Sequence, residues 1–139
     1  MIKIDTDRLI LRNVTEKDIP IIFDYRNNKI CAKYQRGQTK DYEGIIALVE
    51  QRKDDVISTA APFYIAVALK ESDEMIGEIV VMPNDGTISL GYTFSYKHHR
   101  NGYAFESTIK IEFSFTEFTI VSNSLRNLKS SIFAACASA

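Results

Sequence analysis

The stretch richest in reactive and anion-binding groups is Tyr96-Lys97-His98-His99-Arg100-Asn101-Gly102-Tyr103-Ala104-Phe105-Glu106. It follows a strand-like segment and holds a glycine where a helix can begin. A loop that turns onto a helix N-terminus aims several backbone N–H groups at one point, and the helix dipole adds roughly half a positive charge there. Gly102 and Ala104 let a large anion approach the backbone closely. Lys97, His99 and Arg100 add charge. This chemistry suits pyrophosphate; a plain strand-to-helix turn has the same look, and both readings stand at this level.

Glu78 is the second candidate. It is a lone carboxylate inside the apolar run Ile76-Gly77-Glu78-Ile79-Val80. Burial would raise its pKa and suit it to general-base work; alternatively it points to solvent from the open face of the pleat. Tyr92 either donates a proton to a leaving group or packs as an alternating aromatic. His98 and His99 are the two histidines of the chain. Adjacent loop residues diverge, so they read as solvated rather than as a metal or acid–base pair. The two cysteines, Cys31 and Cys136, are too few for a disulfide framework or a zinc cluster, and no metal site is expected.

The elements that must hold these residues follow from period and punctuation. Arg8–Arg12 is a short apolar strand flanked by charge. Thr15 caps a turn with Asp18 at the return position of a capping box, or Asp18 is itself the cap, with Pro20 in the first turn. Ile19, Ile22 and Phe23 then share a helix face. Asn27 to Gln38 reads as loop. Thr39 caps a second helix whose face is Tyr42, Ile45, Ile46 and Val49. Phe63–Leu69, Met75–Val81 and Thr87–Ser95 are strands, the last two joined at the hairpin signal Asn84-Asp85-Gly86. After Glu106, Ile109-Lys110-Ile111-Glu112-Phe113-Ser114-Phe115 alternates as a strand would. Phe105, Ile109 and Phe113 also fit a helix, which the loop at Gly102 requires.

Two helices before an antiparallel meander give an α+β layered domain. The 139 residues allow one domain, with 45% hydrophobic and 25% charged residues as in ordinary globular chains. Lys+Arg is 17 against Asp+Glu 18, so nothing in the charge calls for nucleic acid or an acidic membrane. The sequence shows neither a signal-peptide layout nor an apolar run of membrane-spanning length. A soluble, cytoplasmic, reduced domain is the expectation.

His99-Arg100-Asn101-Gly102-Tyr103-Ala104 resembles the acyl-CoA loop of the GNAT acetyltransferases, Q/R-x-x-G-x-G/A, with His99 in place of the usual Gln or Arg. Gly102-Tyr103-Ala104-Phe105-Glu106 is similar to the Gly-Tyr-Ala-x-Glu of the branch that acetylates N-terminal alanines of ribosomal proteins. Thr6-Asp7-Arg8-Leu9-Ile10-Leu11-Arg12 resembles that branch's opening, and Asp18 falls where it carries an Asp. Ile76-Gly77-Glu78 and Leu90-Gly91-Tyr92 resemble two of its strands. The likeness covers residues 1 to about 107 of one domain spanning 1–139.

The resemblance implies a mainly antiparallel sheet flanked by helices and an N-acetyltransferase using acetyl-CoA as co-substrate. Backbone groups of the strand at Phe94 would meet the pantetheine arm. The amides of Arg100, Asn101, Gly102, Tyr103 and Ala104 would hold the pyrophosphate, with His99 and Asn127 also at the cofactor. A primary amine, on a protein N-terminus or a small molecule, would attack the thioester directly. Glu78 would be the base and Tyr92 the acid, and Tyr34, Arg36 and Tyr42 would border the amine. Asn127-Leu128-Lys129-Ser130 resembles the Asn-x-x-Ser that opens the family's last helix, but no tyrosine follows nearby. The remaining length leaves no room for the family's final hairpin, so an exposed sheet edge could pair with a second copy. Two other functions compete: a degenerate acyl-CoA-binding domain without turnover, and an α+β interaction module.

Overall fold

The computed structural model describes residues 1–32, 38–84, 87–121 and 129–134. Its centre is a six-stranded mixed sheet with strands in chain order. Strands β3 (Phe63–Leu69) and β4 (Met75–Asn84) lie mid-sheet. Their apolar runs are nearly continuous because both faces are covered. β4 and β5 (Thr87–Phe94) pair antiparallel down to Asn84 opposite Thr87, as the hairpin signal predicts. The turn residues Asp85 and Gly86 lie outside the described residues. β2 (Leu9–Arg12) pairs with β3, and a three-residue β1 (Lys3–Asp5) adds an edge that sequence reading missed.

Ahead of helix α1 (Ile19–Asn27) the capping-box alternative holds, and Asp18, at the N-cap position of α1, makes no side-chain cap bond to it. Thr15 and Asp18 form a capping box around the 3-10 turn Glu16–Asp18, and Pro20 then opens α1. The stretch expected as loop contains a short helix, α2 (Lys29–Ala32). In α3 (Tyr42–Arg52) the cap is Asp41, whose carboxylate accepts from the Gly44 N–H at 3.0 Å, rather than Thr39. Ile45 and Val49 are buried, whereas Tyr42 and Ile46 of the expected face are exposed.

The ambiguous segment after Glu106 is helical: α4 runs Tyr103–Val121. It buries Ala104, Ser107, Thr108, Ile111 and Phe115, a helical period that the strict alternation hid. The hydroxyls of Ser107 and Thr108 donate to the carbonyls of Tyr103 and Ala104 at 2.8 Å, so their burial leaves no donor unpaired. The row Phe105, Ile109 and Phe113, whose spacing fits a helix, is exposed.

Beyond α4, Lys129–Ala134 forms β6, parallel to β5. This corrects the reading of that segment as the start of a last helix. Asn127 and Cys136 lie outside the described residues, as does any closing hairpin. No helix among the described residues is long and apolar enough to cross a membrane.

The sheet is thus clad on two faces. On one, Ile22 and Tyr25 of α1, Cys31 of α2, and Ile45 and Val49 of α3 pack over Tyr64, Ala66 and Met75. On the other, Ala104, Ile111 and Phe115 of α4 pack over Leu9, Ile65, Ile79 and Leu90.

Candidate active site

The loop between β5 and α4 is built from left-handed backbone. Arg100 has φ 64° and Gly102 φ 76°. At Gly102 the nearest atom to an added Cβ would be Arg8 Nη2 at 3.6 Å, so the backbone angle and not crowding calls for glycine. A non-glycine residue at positive φ is uncommon, and Arg100 adopts it one turn before the helix. Alternating turns of this kind gather successive N–H groups into an anion-binding concavity. The first hydrogen bond into α4 runs from the Glu106 N–H to the Gly102 carbonyl at 3.0 Å. The amides of Tyr103, Ala104 and Phe105 therefore precede the intrahelical ladder.

The loop is pinned from both ends. His99 donates from Nε2 to the Phe94 carbonyl at 2.9 Å, which fixes that nitrogen as the protonated one. The Cys31 thiol also reaches the Phe94 carbonyl, at 3.5 Å. The Asn101 side chain donates to the carbonyls of His98 and His99, both at 3.2 Å. His98 lies against the Tyr103 ring, and burial lowers its pKa. The expectation of two solvated histidines is corrected: both are structural parts of the turn.

At the far side of the loop, two motifs distant in sequence meet. Glu106 takes hydrogen bonds from the Thr6 hydroxyl, the Arg8 N–H and the Arg8 guanidinium, the last at 2.7 and 2.8 Å. Arg8 also stacks its cation on the Tyr103 ring, 4.5 Å from the centroid. Partial burial pushes the Glu106 carboxyl up, but the donors from Thr6 and Arg8 outweigh it and hold it below its ordinary value. Similarly, Arg12 pairs with Asp18 at 2.8 and 3.0 Å and with Asp73 at 2.7 Å. Thr6, Arg8 and Glu106 thus tie the first turn of α4 to the β1–β2 connection, whereas Arg12 ties β2 to the start of α1 and to the β3–β4 turn.

Glu78 is buried on the α1–α3 face, which removes the solvent-facing alternative. Its Oε1 accepts from the Tyr25 hydroxyl at 2.7 Å and Arg26 Nε at 3.0 Å, and its Oε2 from Arg26 Nη2 at 2.7 Å. Burial opposes the Arg26 charge, but Glu78 overrides it and raises the guanidinium pKa. Burial and the Glu78 charge likewise raise Tyr25 and Tyr64 well above the ordinary phenol value. Arg26 and Tyr25 were missed from sequence; the only local signal was a basic residue near the end of an apolar helix.

Tyr92 is half-buried and meets the Phe94 ring edge-on, with centroids 5.9 Å apart. Burial raises its pKa, so it holds its proton. The register sets Glu78 opposite Thr93 and Ile79 opposite Tyr92. Side chains alternate along a strand, so Glu78 faces α1 while Tyr92 faces α4. The two catalytic candidates are not brought together on one face. Phe94 belongs to the α4-side core, and its ring sits where a Cβ on Gly77 would fall, 2.7 Å away. Among the described residues, β6 pairs with β5 from Thr87 to Tyr92. Tyr34 and Arg36 lie outside the described residues, and Tyr42 is exposed, edge-on to Phe23 at 5.4 Å. No cluster of metal ligands occurs among the described residues.

Comparison with known proteins gives one consistent picture. The sequence profile of the acetyltransferase (GNAT) domain matches residues 8–137. An uncharacterised N-acetyltransferase of Bacillus subtilis (strain 168), YnaD, is 30% identical over 120 residues, 84% of this chain and 68% of that protein. A GNAT-family acetyltransferase from Bacillus anthracis superposes with a TM-score of 0.72 at 20% identity, covering 96% of this chain and 72% of that one. The ribosomal-protein-S5-alanine acetyltransferase from Vibrio fischeri gives a TM-score of 0.60 at 17% identity, covering 96% and 73%. At these identities the likeness to solved structures is one of fold.

Proposed function

Because the chain belongs to the GNAT acetyltransferase family, we propose that it moves acetyl from acetyl-CoA to a primary amine by direct attack. The observation that carries this reading is the loop at Arg100–Ala104. Two left-handed residues and the leading amides of α4 suit a pyrophosphate, and the ties to Phe94, Thr6 and Arg8 hold them in place. Arg100 adds an exposed cation with no side-chain partner among the described residues.

Backbone groups of β5 at Phe94 would meet an extended pantetheine arm laid along the strand. The protein's task is then to place the amine, accept its proton and stabilise the oxyanion, for which a backbone N–H near Phe94 serves. Glu78 receives the amine's proton from the α1–α3 side, by way of the Tyr25 hydroxyl or a water, because Arg26 occupies the carboxylate directly. The amine is a protein N-terminus or a small molecule; the Gly-Tyr-Ala-Phe-Glu motif favours the former.

Thermal shift with acetyl-CoA, followed by CoA release with a panel of N-terminal peptides and small amines, tests the reading. Stabilisation and turnover are expected, and Gly102→Trp should abolish both while leaving the circular dichroism unchanged. No stabilisation at millimolar acetyl-CoA would overturn it. Stabilisation without CoA release across the panel would favour a binding domain without turnover, a reading that the fully engaged Glu78 supports.

A further inference from the structure

The tie between the β1–β2 connection and α4 brings a cation to the glycine loop. Arg8 reaches across 98 residues of sequence to Glu106, with Nε at 2.8 Å and Nη2 at 2.7 Å from Oε1. Its guanidinium lies over the Tyr103 ring, 4.5 Å from the centroid. Nη2 would stand 3.6 Å from a Cβ placed on Gly102. One guanidinium thus touches three positions of the loop and first turn, and the Arg8 side chain is still 48% exposed. A guanidinium carries five N–H donors in a fixed fork. Those of Nη1 have no partner among the described residues. Lys70 and Lys110 line the groove beside Gly102 as well, but Asp5 and Asp7 offset them. No side-chain bond among the described residues fixes any of these four. Arg8 is therefore the cation of that groove already oriented before a ligand arrives.

We propose that Arg8 is a binding residue for the diphosphate of the acyl donor. Its free N–H groups would donate to phosphate oxygens beside Gly102 while its other edge neutralises Glu106. The inference rests on the acetyl-CoA reading of the loop and adds to it a residue from the far end of the sequence. The charge balance requires such a group. A diphosphate at the leading amides of α4 meets the Glu106 carboxylate one turn behind them, and like charges that close repel. Arg8, paired with that carboxylate, removes the repulsion and supplies donors of its own. The planar fork matches phosphate geometry better than an ammonium does. Its bond to Glu106 and its stacking on Tyr103 hold it in advance, so little side-chain freedom is lost when the ligand binds.

Isothermal titration calorimetry with CoA and with 3′-dephospho-CoA tests it, because both carry the diphosphate. Arg8→Gln should weaken binding of both by about tenfold or more, and by the same factor. It should also flatten the salt dependence of the affinity. Glu106→Gln breaks the same tie but keeps the cation, so it should cost no more than about threefold. In the wild type, either ligand should slow phenylglyoxal modification of Arg8, read by peptide mass mapping, a measurement that needs no variant to fold. Arg8→Gln binding no more weakly than Glu106→Gln would make Arg8 a tie alone and overturn the proposal. So would a loss confined to CoA, which would put Arg8 at the 3′-phosphate, or an Arg8 that neither ligand protects. A wild type that binds neither ligand would overturn the acetyl-CoA reading as well. Wild-type binding left unchanged by Arg8→Gln would overturn this inference alone.

Discussion

Arg26 and Glu78 stand 52 residues apart in the chain, yet their side chains meet at 2.7 Å and are only 5% and 2% exposed. Such a pair is costly to bury and more costly to break, because the surviving partner is then an uncompensated charge. Arg26 also donates from Nη1 to the Thr39 carbonyl at 3.0 Å, so one guanidinium joins α1, β4 and the approach to α3. Arg26→Ala should therefore destabilise the fold by about 3–5 kcal/mol in urea unfolding. A loss below 1 kcal/mol would mean that water reaches Glu78 and that the pair is not a dry one. The same variant leaves Glu78 without its cation, and Tyr25 as its remaining donor.

Between elements, the decisive contact is the hairpin tip of β1 and β2 against the first turn of α4. Thr6, Arg8 and Glu106 make it, and it sets where the loop at Gly102 points. Its strength depends on pH in a direction that can be worked out. The Glu106 carboxyl titrates below its ordinary value of 4.5 in the folded chain. The folded state thus binds this proton less readily than the unfolded state, and ionised Glu106 stabilises it. That contribution is complete above the ordinary value and is lost as pH falls through the lowered one. Glu106→Gln should melt below wild type at neutral pH, and the difference should close under increasingly acid conditions. A gap that stays constant down to strong acid would show that the carboxylate's charge is not what holds the tip. The same contact explains why the two motifs occur together in one sequence: each supplies half of an ion pair. From sequence they read as separate signatures, because pairing across nearly a hundred residues leaves no local periodicity.

At the scale of the whole molecule, what was legible was whatever burial writes into a short window. β3 and β4 are apolar throughout because the α1–α3 layer covers one face and α4 the other. β5 alternates, and its register follows from the Asn84 turn. What was not legible was orientation. The apolar row at Phe105 signalled a helix but not that this row would face outward, since Ala104, Ser107 and Thr108 take the inner face with back-bonded hydroxyls. Nor did the loop sequence reveal that His99 would be spent on the Phe94 carbonyl. These choices depend on which neighbours the sheet supplies. The layered burial also predicts how the molecule opens. Strands covered on both faces exchange their amides only when the domain opens as a whole, while an edge strand frays alone. Ile65 and Val67 of β3 and Ile79 of β4 are fully buried and mid-sheet, whereas β1 is a three-residue edge with exposed Lys3 and Asp5. Amide hydrogen exchange at neutral pH should therefore be slowest in β3 and β4 and orders of magnitude faster in β1. The start of α4, held by Glu106, should be intermediate, and Glu106→Gln should speed exchange there without changing β3. If that variant accelerated β3 and α4 equally, the loop and the sheet would open as one unit, and the hairpin tie would belong to global stability rather than to the site.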